Sequence, residues 1–347
     1  MSAAPALTST ANCGSSERPR ANSAVDNLRF VKNKTVSLIG CPFSSGQGRP
    51  GVEAGPNSLV SAGLLEQLTQ LGWTVEFTGY QQFESIVSSE QLAKDTPIGK
   101  MKNPRTVSHV TQAVATVVAS KAKEGKIPLT LGGDHSLGLG TVLGSLAAHP
   151  DLALIWVDAH ADINTPQTTD SGNLHGCPVS FLCNLEDTQV EPFSTWLPGP
   201  ASKFLDPKRL VYIGLRDVDS EEKTILRKHG IKAFSMHEVD RYGIGAVVDM
   251  ALDYINDGVK GKRERPIHLS FDVDALDPSV APSTGTPVRG GLSFREGHYI
   301  CEALYETGAL VAMDLMEVNP SLMPADAEQT IAVGCSLVRS AFGETLL

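Results

Sequence analysis

The side chains of this 347-residue sequence best suited to chemistry gather in three short stretches. They are Gly132-Gly133-Asp134-His135-Ser136, Asp158-Ala159-His160-Ala161-Asp162-Ile163-Asn164 and Asp272-Val273-Asp274-Ala275-Leu276-Asp277. Grouping carboxylates at strand ends costs on the order of several kcal/mol in repulsion and desolvation unless cations neutralise them. His135, Asp158, His160, Asp162, Asp272 and Asp274 are therefore candidate metal ligands. Side-chain alternation on an extended segment puts all three ligands of Asp-x-His-x-Asp on one side, and both ligands of Asp-x-Asp likewise. Four carboxylates and two imidazoles exceed the set of a catalytic zinc, which takes about three protein ligands. They suit two divalent ions about 3.5 Å apart, and a water between such ions loses a proton near neutral pH. An oxygen-rich set without thiolate favours Mn²⁺ over Zn²⁺ or Cu²⁺. An isolated Asp is usually a helix cap or turn residue. That reading suits Asp277, which precedes Pro278, and not the six together. His109, His149, His229, His237, His268 and His298 read as surface or internally satisfied histidines.

These motifs need elements to position them. Apolar runs at 36–39, 127–131, 152–157, 210–215, 267–271 and 310–316 read as buried strands. Leu59, Val60, Leu64, Leu68 and Leu71 recur at helical spacing. So do Val107, Val110, Val114, Val117 and Val118, in a run that stops at Gly125. Further helical patterns lie near 221–229, 245–257 and 296–307. Strand–helix alternation predicts an α/β fold: a single three-layer α-β-α domain with a mainly parallel central sheet. The polar motifs all follow strands, which puts the metal site at the carboxyl ends of the strands.

Formal net charge is −10 and no Lys/Arg-rich run is present, which argues against nucleic acid or an anionic membrane as partner. Cys13, Cys41, Cys177, Cys183, Cys301 and Cys335 form no Cys-x-x-Cys pair and read as reduced, mostly packed thiols. No apolar run approaches the roughly 18 residues of a membrane helix, and no secretory h-region opens the sequence; a cytoplasmic location is expected. Residues 1–27, rich in Ser, Ala, Asn and Thr, read as a disordered extension; Arg18, Arg20 and Glu17 make a poor transit peptide. Gly46-Gln47-Gly48-Arg49-Pro50-Gly51 matches G-x-G-x-x-G after a strand. Pro50 and Gly55-Pro56 delay the next helix to about residue 57, so the loop reads as a tight segment near the active site and not as a pyrophosphate cradle.

From about residue 35 to its C-terminus the chain closely resembles the arginases, within the ureohydrolase family. The resemblance rests on the three stretches above together with Ser171-Gly172-Asn173-Leu174-His175-Gly176, Gly214-Leu215-Arg216-Asp217-Val218-Asp219, Ser270-Phe271-Asp272-Val273-Asp274 and Met316-Glu317-Val318-Asn319-Pro320. It implies a catalytic domain over residues 28–347 that hydrolyses L-arginine to L-ornithine and urea. By the resemblance, His135, Asp158, Asp162 and Asp272 would hold one Mn²⁺ and His160 with Asp274 the other, Asp158 and Asp272 bridging. A metal-bridging hydroxide would attack the guanidinium carbon, Asp162 passing a proton to the leaving amine and His175 serving as proton shuttle. Glu317 would hold the guanidinium. Asn164, Ser171 and Asn173 would meet the α-carboxylate, and Asp219 and Glu222 the α-ammonium, a role that can coexist with capping the helix near 221. Thr286 is carried over as a further substrate contact. A homo-oligomer, trimer or hexamer, is implied.

Ala275 replaces a Gly common in arginases, and Ser220-Glu221 replaces Pro-Gly, which bears on the reach of Glu222. The wording around 173–182 and the terminal Gly343-Glu344-Thr345-Leu346-Leu347 is most similar to fungal arginases. Two rival readings remain: a sister ureohydrolase acting on agmatine or another guanidino compound, and a non-catalytic homologue that binds a partner.

Overall fold

The apolar runs become strands because each can bury both faces. In the computed structural model, which describes residues 28–83, 88, 94–197, 205–258 and 264–345, the six runs and two further edge strands form one eight-stranded parallel sheet. The strands are β1 (Thr35–Cys41), β2 (Thr74–Tyr80), β3 (Ile127–Gly132), β4 (Ala153–Val157), β5 (Leu210–Leu215), β6 (Lys232–Ser235), β7 (Ile267–Asp272) and β8 (Leu310–Met316). Their order is β2-β1-β3-β8-β7-β4-β5-β6. The chain thus leaps from β3 over two places to β4, and β7 and β8 later fill the gap. Crevices at such reversals of strand order hold ligands in open α/β sheets.

Alternate residues of each strand enter two separate cores. Val36, Leu38, Ala153, Ile155 and Val157 pack on one face, with the helices Gly55–Ser61, Leu64–Gln70, Ile244–Ile255, Phe294–Glu306 and Ala327–Ala341. Ile39, Cys41, Leu154 and Trp156 pack on the other, with Pro104–Lys123, Gly138–Ala148, Pro178–Leu182 and Ser220–His229. This is the expected three-layer α-β-α arrangement, parallel throughout.

Local details differ from the sequence reading for identifiable reasons. The pattern over 59–71 is two helices, broken where Gly63 adopts φ 85°. The first of them starts at Gly55 rather than near 57, because Pro56 sits in the first turn, where no amide donor is missed. Cys41, Cys177, Cys183, Cys301 and Cys335 are buried and outside any disulfide, while Cys13 and the 1–27 extension lie outside the described residues. Asp277 is the turn residue expected, its carboxylate accepting from Ser279 and from the amides of Gly290 and Gly291. Among the described residues no helix is long and apolar enough to cross a membrane.

Candidate dinuclear metal centre and active site

The four neighbouring strands β3, β8, β7 and β4 deliver the chemistry from their carboxyl ends. Asp272 closes β7, while Asp158 and Glu317 directly follow β4 and β8. His135 opens a short 3₁₀ turn capped by Asp134, whose carboxylate accepts from the Ser136 amide at 3.0 Å. Simple alternation does not carry the ligands in. The amide of His160 folds back onto Asp158 Oδ1 at 2.7 Å, and Asp162 arrives through a left-handed residue at φ 48°. Asp272 likewise caps the turn that presents Asp274, accepting from its amide at 2.8 Å. Glu317 is also left-handed, at φ 63°, so two acidic side chains of the site sit on backbone costing on the order of 1–3 kcal/mol each.

All six candidate ligands meet. His135 Nδ1 lies 3.2 Å from Asp158 Oδ2, 3.4 Å from Asp162 Oδ2 and 3.1 Å from Asp272 Oδ2. His160 Nδ1 lies 3.4 Å from Asp158 Oδ1 and 3.1 Å from Asp274 Oδ2. Asp158 therefore offers one oxygen to each group, and the two groups able to hold an ion are His135/Asp158/Asp162 and Asp158/His160/Asp274. One ring nitrogen carries at most one proton and cannot satisfy three carboxylate oxygens. Among the described residues these four carboxylates pair with the two imidazoles and with no lysine or arginine. Two like charges 4 Å apart repel by about 4 kcal/mol at an effective dielectric of 20. Nitrogen and oxygen lone pairs converging without enough protons are what a pair of divalent cations requires.

Without such cations, protonation shifts sharply. Burial and the Asp158 charge push the Asp162 carboxyl well above its ordinary value. Burial, with the charges of Asp274 and Asp158, does the same to Asp272. Burial alone would pull His135 down, but its bonds to Asp158 and Asp272 outweigh it and hold the imidazole well above its usual range. Burial also opposes ionisation of Asp158, yet its bonds to His135 and His160 hold its pKa low.

Beside the cluster, Glu317 is buried and accepts the His135 amide at 3.0 Å, and His175 Nδ1 stands 3.4 Å from the same oxygen. Burial lowers the His175 pKa and the Glu317 carboxylate raises it, with a net upward shift. The other expected substrate contacts form a rim. Asn164 donates to Asp219 at 2.7 Å and accepts from Thr168 at 2.7 Å. Ser171 accepts the Asn173 amide at 3.1 Å, and Lys102 reaches Asn173 Oδ1 at 3.4 Å. Asp219 and Glu222 form a capping box on the helix Ser220–His229, with Glu222 buried and Asp219 exposed. Burial and the Asp219 charge push the Glu222 carboxyl up to about 7. Thr286 turns its hydroxyl to Asp274 Oδ2 at 2.9 Å, so in this structure it touches a candidate ligand.

Sequence reasoning assigned no role to the residues behind the ligands. Trp156 donates to Asp158 Oδ2 at 2.9 Å and stacks on His135 with centroids 4.0 Å apart. Ser270 Oγ lies 2.9 Å from His135 Nε2, and Asp217 lies 3.7 Å from His160 Nε2. Trp156 and Ser270 each stand two residues before a ligand on a strand, hence on the same face, which is the signal that would have found them.

Comparison with known proteins agrees with this geometry. The sequence model of the arginase family matches residues 34–343. The arginase of Glaciozyma antarctica (strain PI12) is 57% identical over 317 residues, covering 90% of this chain and 89% of that protein. The crystal structure of a cold-adapted arginase from the psychrophilic yeast Glaciozyma antarctica superposes with a TM-score of 0.72 at 50% identity, covering 91% of this chain and 97% of that one. The arginase of Bacillus caldovelox gives a TM-score of 0.81 at 37% identity, covering 90% and 99%. The chain therefore belongs to the arginase family of hydrolases.

Proposed function

We propose that residues 28–347 form a dimanganese hydrolase converting L-arginine and water to L-ornithine and urea. The observation that carries this reading is the convergence of six candidate ligand side chains beside a buried carboxylate, Glu317, that is not one of them. His135, Asp158, Asp162 and Asp272 would hold one ion and His160 with Asp274 the other, with Asp158 and Asp272 shared. Manganese, when bound, neutralises the carboxylates and makes water acidic enough to supply a nucleophile near neutral pH.

The side chains do the rest. Glu317 accepts the N–H fork of the substrate guanidinium and orients its carbon toward the cluster. Asp162 delivers a proton to the chain nitrogen of arginine as the bond from that nitrogen to the guanidinium carbon breaks. His175, half-buried next to Glu317, exchanges protons between solvent and the site. Asn164, Ser171 and Asn173 receive the α-carboxylate, and Asp219 and Glu222 the α-ammonium. Thr286 steadies Asp274 from the substrate side. A cytoplasmic homo-oligomer, trimer or hexamer, completes the reading.

Urea release from L-arginine and agmatine, by protein stripped of metal and reloaded with Mn²⁺, tests it. Manganese-dependent turnover favouring L-arginine is expected. Preference for agmatine would move the assignment to the sister hydrolases, and no urea from either substrate would move it to a partner-binding homologue.

A further inference from the structure

The glycine-rich loop 46–51, which resembles a dinucleotide motif without serving as one, is fastened to the Asp134, His175, Gly285 and Glu317–Asn319 segments beside the site. The Gly46 amide donates to Asp134 at 2.8 Å, and the Gly46 carbonyl accepts the His175 amide at 3.0 Å. A side chain at Gly46 would stand 2.5 Å from both Asp134 Oδ1 and Ser136 Oγ, so this close approach requires glycine. Arg49 donates to the Gly285 carbonyl, and Asn319 to the Pro50 carbonyl at 3.2 Å. Held this way, Gln47 donates from Nε2 to Glu317 Oε2 at 2.9 Å.

A carboxylate only accepts, so the amide atom facing Glu317 is the nitrogen, and the Gln47 oxygen is the free acceptor of the pair. That oxygen and Glu317 Oε2 line one wall. The position of a Cβ on Gly285 is 3.1 Å from Gln47 Oε1 and 3.2 Å from Glu317 Oε2. Glu317 Oε1 is occupied by the His135 amide and faces His175, so the Gln47 bond stops the carboxylate from rotating at its other oxygen. A guanidinium carries five N–H donors in a planar fork, more than one carboxylate absorbs.

We infer that Gln47 is a specificity-determining residue for the guanidinium group: its amide nitrogen pins Glu317 and its amide oxygen accepts a further guanidinium N–H. This rests on the reading of Glu317 as the guanidinium acceptor.

The test uses manganese-loaded full-length protein with Gln47→Met, which keeps length and removes both hydrogen bonds, and Gly285→Ala, which crowds the two oxygens. The readouts are KM and kcat for L-arginine, inhibition constants for guanidinium chloride and for L-ornithine, metal content and melting temperature. L-Ornithine keeps the amino-acid head and lacks the guanidinium. Gln47→Met should raise KM and the guanidinium inhibition constant about tenfold, with L-ornithine inhibition, metal content and melting temperature unchanged. Gly285→Ala should give the same pattern, weaker. Unchanged guanidinium inhibition in Gln47→Met would overturn the inference, and so would equal weakening of guanidinium and L-ornithine. Glu317→Gln with unaltered guanidinium inhibition would instead remove the acceptor beneath it, which separates the two failures.

Discussion

The floor and the rim of this site are built on opposite terms. On the floor, four buried carboxylates and two imidazoles face one another with too few protons: burial and neighbouring charge raise the Asp162 and Asp272 carboxyls, while the bonds from His135 and His160 hold Asp158 low. On the rim, Asn164, Asp219 and Glu222 already satisfy one another or cap a helix, and Ser171 accepts the Asn173 amide. A cluster that is unstable without cations announces its chemistry. A rim that is stable without substrate conceals its specificity, since each residue has a structural occupation as well.

The sharpest way to break this contrast is Asp158→Ala. It removes a carboxylate that turns one oxygen to each ligand group, so urea release should fall below detection and manganese content should drop. Full activity with two bound ions would remove the shared-ligand assignment. Next in size is Ser270→Ala, which leaves every ligand in place and deletes the partner of His135 Nε2. Manganese affinity, measured by titration of metal-free protein, should weaken by about 10–100-fold.

Rim substitutions should act more mildly and on two properties at once. Asp219→Ala should raise KM for L-arginine by about tenfold, toward the low end because Asp219 is exposed. It should also cost about 1 kcal/mol in stability through the lost cap, read from denaturant melts. An unchanged KM would leave Asp219 with capping alone. Glu222 gives the smallest and most informative effect. Its carboxyl is raised to about 7 in the folded protein, so the native state binds more protons than the unfolded chain below that pH. Its share of stability therefore rises as pH falls through 7, while its charge for the α-ammonium is lost. Between pH 8 and 6, the ratio of KM in wild type to KM in Glu222→Gln should rise about threefold, and the corresponding stability difference should grow. A flat ratio would contradict the ammonium contact.

Legibility in the sequence followed the same division. The six candidate ligands, which the structure brings together, were readable because carboxylates and imidazoles clustered after apolar strands have no cheaper explanation. The strands missed were the two at the sheet's edges. Thr74–Tyr80 is partly exposed along its length, and Lys232–Ser235 is four residues long with one buried position, so neither shows an apolar run. The helix Gly138–Ala148 was missed because almost every residue is buried, which erases helical periodicity. Its glycines served packing: a Cβ at Gly144 would lie 2.7 Å from the Ala115 carbonyl of the neighbouring helix. The helix Ala327–Ala341 went unread although it is amphipathic. Gln47 went unread because its contact with Glu317 spans 270 residues of sequence, and Trp156 and Ser270 because only their two-residue offset from a candidate ligand marks them.

The most direct test of the account is the stoichiometry and electron paramagnetic resonance of manganese in the loaded protein. The geometry, with Asp158 turning one oxygen to each ligand group, predicts two ions per chain with the spectrum of an exchange-coupled pair. One ion per chain, or two with the spectra of isolated Mn²⁺, would contradict it.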